Sequence, residues 1–237
     1  MSQSVFHFRH FTIHQDKCAM KVGTDAVLLG AWIHAAGSKR ILDIGTGTGL
    51  IALMMAQKSN AQIDAIDIDQ DASVQAAENF NDSLWSDRLN AISGPVQEYA
   101  KESIEQYDLI VSNPPYFMGA HPAPSEARNV ARHMDEHLSI EELVEAVHRL
   151  LTENGRFCII LPYIEGSRFK SYASEHGLYP TRITKVITKT GKTEKRVLME
   201  FAKSIIDCQE DEIILQDELG NYTEQYRKLT TDFYPGM

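Results

Sequence analysis

A chain of 237 residues with 43% apolar and 24% charged residues is an ordinary globular mixture, long enough to bury a full core without disulfides. Its three cysteines, Cys18, Cys158 and Cys208, are odd in number and far apart, which excludes a disulfide framework and a CxxC pair. The net charge of −10 argues against a broad nucleic-acid footprint, and no apolar run is long enough for a membrane span. The start, MSQSVFHFRHF, lacks the basic and apolar regions of a signal peptide, so the expected location is the reducing cytoplasm.

In chain order, FHFRHFTIHQ is strand-like and GTDAVLLGAWIHAA reads as a helix. From residue 40 the two types alternate. KRILDIG, AQIDAIDID, DRLNAISG, YDLIVSN and RFCIILP are predicted strands; TGLIALMMAQK, QDASVQAAENFNDSL, VQEYAKESI, SIEELVEAVHRLL and EGSRFKSYASEHG are predicted helices. Ser139 and Glu142 form a capping-box pattern, and Asn154-Gly155 is the expected end of that helix. A polar, proline-bearing loop is expected from about Gly119 to His137. Such alternation predicts a doubly wound α/β sheet of parallel strands. YPTRITKVITKT and TEKRVLMEFAKS are joined by a short turn around Thr190-Gly191-Lys192, so the last strand must run antiparallel.

Charge is segregated along the chain. RITKVITKTGKTEKR, 182–196, carries six basic residues and one acid, while residues 204–237 carry eight carboxylates against Arg227 and Lys228. The basic stretch could face phosphates or could be a solvated hairpin guarding a sheet edge. The acidic tail has apolar and aromatic anchors, including Tyr222, Tyr226, Phe233 and Tyr234, and is expected to pack on the core.

LDIGTGTGLIALM places Gly45, Gly47 and Gly49 between a strand and its helix, where bare backbone can turn tightly and approach a ligand. The absence of GK[ST] argues against a P-loop. Asp43 ends the strand feeding the loop, and Asp67 ends the next strand, at the spacing where a carboxylate meets a ribose diol. Ile68 could cover an adenine face. The plainer alternative is a tight turn with acids stabilising helix N-termini.

The fourth strand leaves through IVSNPPYF. Leu42 to Gly49, Asp67 and Asn113-Pro114-Pro115-Tyr116 together resemble class I AdoMet-dependent methyltransferases. The resemblance covers nearly all of residues 20–203. It implies a Rossmann-like, mostly parallel seven-stranded sheet with an antiparallel last strand and helices on both faces. It also implies S-adenosyl-L-methionine as cofactor. The expected layout is a single methyltransferase domain over 1–237: an N-terminal extension (1–38), a catalytic core (39–203) and the acidic tail (204–237).

The amino group of adenine is a poor nucleophile because its lone pair is delocalised into the ring. Acceptors on its two hydrogens favour a pyramidal nitrogen. Asn113 offers a side-chain carbonyl, and Pro114 a backbone carbonyl with no N–H to compete. Pro115 stiffens the turn. Tyr116 and Phe117 offer stacking surfaces, worth about 1–3 kcal/mol per base.

The same turn also suits a glutamine amide. KVGTDAVLLGAWI at 21–33 and YTEQYRKLTTDFYP at 222–235 look like the bacterial tRNA1(Val) adenine-N6 methyltransferases, which modify the adenosine 3′ to the anticodon. By that resemblance Gly23, Thr24 and Asp25 lie near the cofactor's amino-acid end, and the partner is tRNA. Expected RNA contacts are Arg128, Arg132, Lys185, Lys189, Lys192, Lys195 and Arg196, together with Arg9 and its neighbouring histidines. HMDEH at 133–137 matches a zinc-peptidase pattern, but its place beside the Ser139 cap predicts a loop and no metal. Protein glutamine methylation, methylation of another RNA or DNA, and a non-enzymatic RNA-binding module remain as alternatives.

Overall fold

The structure, a computed structural model, describes residues 4–18, 20–115 and 138–235. Tyr116, Phe117, Arg128, Arg132 and the HMDEH segment lie outside the described residues.

The strands and helices come in the expected alternation. A short hairpin of β1 (Val5–His7) and β2 (Thr12–His14) precedes α1 (Thr24–Trp32). Then follow β3 (Arg40–Ile44), α2 (Leu50–Lys58), β4 (Gln62–Asp67), α3 (Gln70–Asn81), β5 (Leu89–Ser93), α4 (Val96–Glu102) and β6 (Tyr107–Ser112). Beyond residue 137 come α5 (Ile140–Leu150), β7 (Leu151–Pro162), α6 (Tyr163–Glu175), β8 (Tyr179–Lys189), β9 (Glu194–Ala202), β10 (Gln209–Gln216) and α7 (Glu224–Thr230).

The main sheet has the order β10-β8-β9-β7-β6-β3-β4-β5. β3 to β7 are parallel, and β9 is inserted antiparallel to both β7 and β8. The expected count of seven becomes eight, because β10 of the acidic tail adds a parallel edge strand on β8. Its acids meet the basic strand: Glu212 pairs in register with Lys185, and Asp211 with Thr184. One acid of the tail is thus set opposite one lysine of the basic stretch across this ladder.

Side chains alternate between two cores, as strands covered on both faces require. Ile41, Ala65, Val111 and Ile160 pack toward α1 and α2; Leu42, Ile66, Ile110 and Ile159 pack toward α5 and α6. Each fully buried Leu or Ile contributes about 1.5–3 kcal/mol. Lys58, at the end of α2, donates to the carbonyls of Gly30 (3.1 Å), Ala31 (2.8 Å) and Ile33, satisfying the otherwise open C-terminus of α1.

The capping box forms at α5: the Ser139 hydroxyl accepts from the Glu142 amide (3.1 Å), and Glu142 accepts from the Ser139 amide (2.9 Å). Asn154-Gly155 does not end this helix. α5 stops at Leu150, and both residues fall inside β7, where the register against β6 shifts between Tyr107 and Leu109. Leu150 and Leu151 are both buried, so their burial pulls the chain from helix straight into the sheet.

Candidate active site

β3, β4 and β5 step outward in one direction, while β6 returns to the other side of β3. The strand order therefore reverses between β3 and β6, and a crevice opens at their carboxyl ends. A cavity of about 420 Å³ lies there. Gly45 and Gly47 line it from the loop after β3, Asp67 and Ile68 from the end of β4, Gly94 and Gln97 from the end of β5, and Pro114 and Pro115 from the end of β6.

The glycine loop has φ of 72° at Gly45, 55° at Gly47 and 80° at Gly49. A Cβ on Gly45 or Gly47 would meet nothing within 4 Å, so both present bare backbone to open space. Gly49 does a different job. It caps the N-terminus of α2 away from the cavity, and a Cβ there would stand 2.5 Å from Phe80 Cε1 on α3. The loop is held by its neighbours: the Gly45 and Thr46 amides donate to Ile66 O (2.8 and 3.1 Å), and the Gly47 amide donates to Asp67 Oδ2 (2.8 Å).

The two acids differ in kind. Asp67 reaches the cavity with each carboxylate oxygen braced by one backbone amide, Gly47 on Oδ2 and Asp69 on Oδ1 (3.0 Å). An oxygen with two lone pairs keeps one for a ligand hydroxyl. Burial raises its pKa above the usual carboxylate value, and the Asp69 and Gly47 amides pull it back. Asp43 is fully buried behind the loop and does not line the cavity. Its Oδ2 accepts from the Thr46 hydroxyl (2.7 Å), and its Oδ1 has no hydrogen-bond partner among the described residues. Burial pushes this carboxyl up to about 7, against the Thr46 hydrogen bond.

At the end of β6, Ser112 donates its hydroxyl to Ile44 O (2.9 Å), locking the exit of β6 to that of β3. Asn113 follows, half-buried, between two residues that line the cavity, Ser112 and Pro114. Pro114 is buried and Pro115 exposed.

Gly23, Thr24, Asp25 and Gly49 are not among the residues lining this cavity. Gly23 is the N-cap of α1, and Thr24 lines a second cavity of about 390 Å³ together with Lys195 and Arg196. Lys185 lies instead beside Lys170 and Glu210, in a small hollow against α6. Lys192 is exposed at the hairpin turn, where its amide donates to the half-buried Lys189 (3.0 Å). The basic stretch read as one patch is therefore split between two faces.

Sequence reasoning did not single out Thr46, Ser112, Cys18, Gly94, Gln97 or Asn79. Asn79 is buried on α3, and its amide group accepts from the His14 amide (2.9 Å) and donates to His14 O (2.9 Å) and Thr48 O (2.8 Å), tying β2 to the glycine loop. For Gly94 and Gln97 the signal was present: in an open parallel sheet, the residues just past each strand's carboxyl end face the crevice. For Asn79 it was not, since its partners are 31 and 65 residues away.

A glycine loop at a switch point is shared by many nucleotide-binding sheets; an antiparallel β9 inserted between β7 and β8 is not. With the Asn-Pro-Pro turn at the end of β6, it defines a class I methyltransferase. The chain belongs to the methyltransferase small domain family, whose model matches residues 18–163. It is 48% identical to a tRNA1(Val) (adenine(37)-N6)-methyltransferase of Bacteroides fragilis, covering 100% of both chains. It is 45% identical to one of Flavobacterium psychrophilum, covering 98% of this chain and 100% of that one. In fold it is similar to the crystal structure of a predicted O-methyltransferase from Agrobacterium tumefaciens, with a TM-score of 0.68 at 16% identity, covering 88% of this chain and 96% of that one.

Two general features frame the site. Among the described residues no helix is long and apolar enough to cross a membrane. Among the same residues no group of three or more His, Cys, Asp or Glu is arranged to hold a metal ion.

Proposed function

We propose that this chain transfers the methyl group of S-adenosyl-L-methionine to N6 of the adenine at position 37, 3′ to the anticodon, of a valine tRNA in the cytoplasm. The observation that carries the substrate is the full-length 48% identity to the Bacteroides fragilis tRNA1(Val) enzyme.

The residues around the first cavity fit a nucleoside cofactor. Gly45, Gly47 and Gly94 present bare backbone with room above it, the braced Asp67 carboxylate retains acceptor capacity for a ribose diol, and Ile68, 52% exposed, offers an apolar face for adenine. S-adenosyl-L-methionine supplies an already electrophilic methyl group when bound, so the protein's task is chiefly positioning.

Asn113 and Pro114 do that positioning for the acceptor. The Asn113 side-chain carbonyl takes one hydrogen of the target amine, and the Pro114 backbone carbonyl takes the other. Both acceptors draw the nitrogen lone pair out of conjugation. Pro115 fixes the turn, Tyr116 and Phe117 hold the base by stacking, and no strong general base is needed because the alkylated nitrogen loses its proton readily. A base inside a folded RNA must first swing out of its stack to reach this pocket.

The test is to incubate the protein with labelled S-adenosyl-L-methionine and unmodified bulk tRNA, then map the modified nucleoside by digestion and mass spectrometry. Label in N6-methyladenosine at position 37 of a valine tRNA is the expected result. Label in glutamine of a co-incubated protein extract, with none in RNA, would overturn it.

A further inference from the structure

The second cavity, about 390 Å³, shares no lining residue with the first. It lies at the same end of the sheet, lined by Val186 and Thr188 near the end of β8 and by Arg196 near the start of the antiparallel β9. Arg196 pairs in register with Pro162 at the end of β7, and Ser112 pairs with Ile159, so the two levels differ by about 10 Å along the strands. The chain itself joins the cavities: Cys18 and Met20 line the first, and Thr24 and Asp25 line the second. The Asn-Pro-Pro turn leaves the sheet at the wall of the first cavity, which Ser112, Pro114 and Pro115 line.

Three separate segments build this cavity. Leu28, Val186 and Leu215 give it an apolar floor. Asp25 and Arg196 form an ion pair at 2.7 Å, and Lys195 stands exposed beside them. The remaining wall is Tyr222 of the acidic tail, 44% exposed and backed by the buried Tyr226 ring at a centroid distance of 4.8 Å.

Tyr222 is placed there by a constructed turn. Asp217 Oδ1 accepts from the Leu219 and Asn221 amides (2.9 and 2.8 Å), and Gly220 adopts φ 89°. The chain then returns so that Tyr222 bridges to Gln216, whose carbonyl accepts from the Thr190 amide (2.9 Å) at the hairpin tip. An exposed aromatic ring packed against a buried one and sharing a cavity with apolar residues and a lysine is the chemistry that receives an unstacked nucleobase and its phosphate.

We propose that this second cavity binds a nucleotide of the anticodon loop next to the target adenine, its base stacked on Tyr222 and its phosphate toward Lys195. The tail thereby acts in substrate recognition, through its aromatic residue and not its charge. The assignment rests on the tRNA reading above and is testable apart from it.

The experiment compares the parent with Tyr222→Ala, Tyr222→Phe and Asp217→Ala. Two readouts are taken: steady-state methylation of a valine tRNA transcript, and direct binding of its unmodified anticodon stem-loop by fluorescence anisotropy, without turnover. Tyr222→Ala is expected to raise both KM for tRNA and the stem-loop Kd at least about fivefold, the lower end for a lost base stack. Its kcat should stay within about twofold, and its thermal midpoint and S-adenosyl-L-methionine affinity should match the parent. Tyr222→Phe keeps the ring and should bind like the parent. Asp217→Ala keeps the ring but frees its turn, and should fall between. Equal stem-loop affinity in Tyr222→Ala and the parent, equal losses in Phe and Ala, or no stem-loop binding by the parent each overturn the assignment. Stem-loop binding without methylation at position 37 would instead overturn the methyl-acceptor reading and leave the Tyr222 comparison decided by anisotropy.

Discussion

The backbone amide of Gly47 donates to Oδ2 of Asp67 at 2.8 Å, joining the glycine loop after β3 to the acid that ends β4. The bond holds a bare stretch of backbone and a carboxylate in fixed relation at one mouth of the crevice. A ligand that uses both meets them already assembled.

Replacing Asp67 separates those parts. Asp67→Ala removes the carboxylate and leaves the Gly47 and Asp69 amides without their acceptors. A charge-assisted hydrogen bond contributes about 1.5–3 kcal/mol. The Kd for S-adenosyl-L-methionine, measured by isothermal titration calorimetry, is therefore expected to rise about ten- to a hundredfold. An unchanged Kd would remove Asp67 from the cofactor site.

Asn113 should behave in the opposite way. Asn113→Ala deletes the acceptor proposed for the target amine and leaves the glycine loop and Asp67 unchanged. Single-turnover methylation of tRNA is expected to fall at least about a hundredfold, the usual cost of losing one oriented hydrogen-bonding group at a reacting centre. Cofactor Kd should stay within about threefold. Parent-like turnover would free Asn113 of its proposed role.

Two glycines in one loop should fail differently. Gly49→Ala combines a left-handed backbone with a Cβ 2.5 Å from Phe80, so strain of about 1–2 kcal/mol adds to overpacking of about 1–3 kcal/mol. Its thermal midpoint should drop by roughly 2–4 °C per kcal/mol for a chain of this size. Gly45→Ala carries the backbone strain alone, since its Cβ meets nothing within 4 Å, but that Cβ enters the cavity. It should lose cofactor affinity with the smaller loss of stability. Calorimetric unfolding and cofactor titration on both variants separate the two effects, and the reverse order of stabilities would refute the division.

Asp43 gives a pH dependence with a definite sign. Buried in the folded protein, its carboxyl holds its proton up to about pH 7, against an ordinary value of 3.8. Between those values the folded state binds the extra proton. This contribution to stability is therefore greatest in acid, falls as pH rises through the window, and is level above it. The slope is at most about 1.4 kcal/mol for each pH unit. Asp43→Asn removes it, so the variant's stability relative to the parent should increase from pH 4 to pH 7 in urea titrations without cofactor. A constant difference across that range would show that Asp43 ionises normally.

Much of this molecule is decided locally, and the sequence carries it. Glycines at 45, 47 and 49 dictate a positive-φ loop because side chains resist that backbone. Short, nearly continuous apolar runs alternating with longer helical segments mark β3 to β9 and their helices, since strands covered on both faces are apolar throughout. A short turn after Lys189 forces β9 antiparallel to β8. Other features depend on partners far apart in the chain, and local pattern is blind to these. The acids of 210–212 read as a charged tail until β10 pairs them with β8, and the burial of Asp43 beside the Thr46 hydroxyl is visible only in the folded chain. Lys185 and Arg196 read as one basic patch until the sheet sends them to different faces, because a strand places successive side chains on opposite sides and only the pairing decides which cavity each side meets.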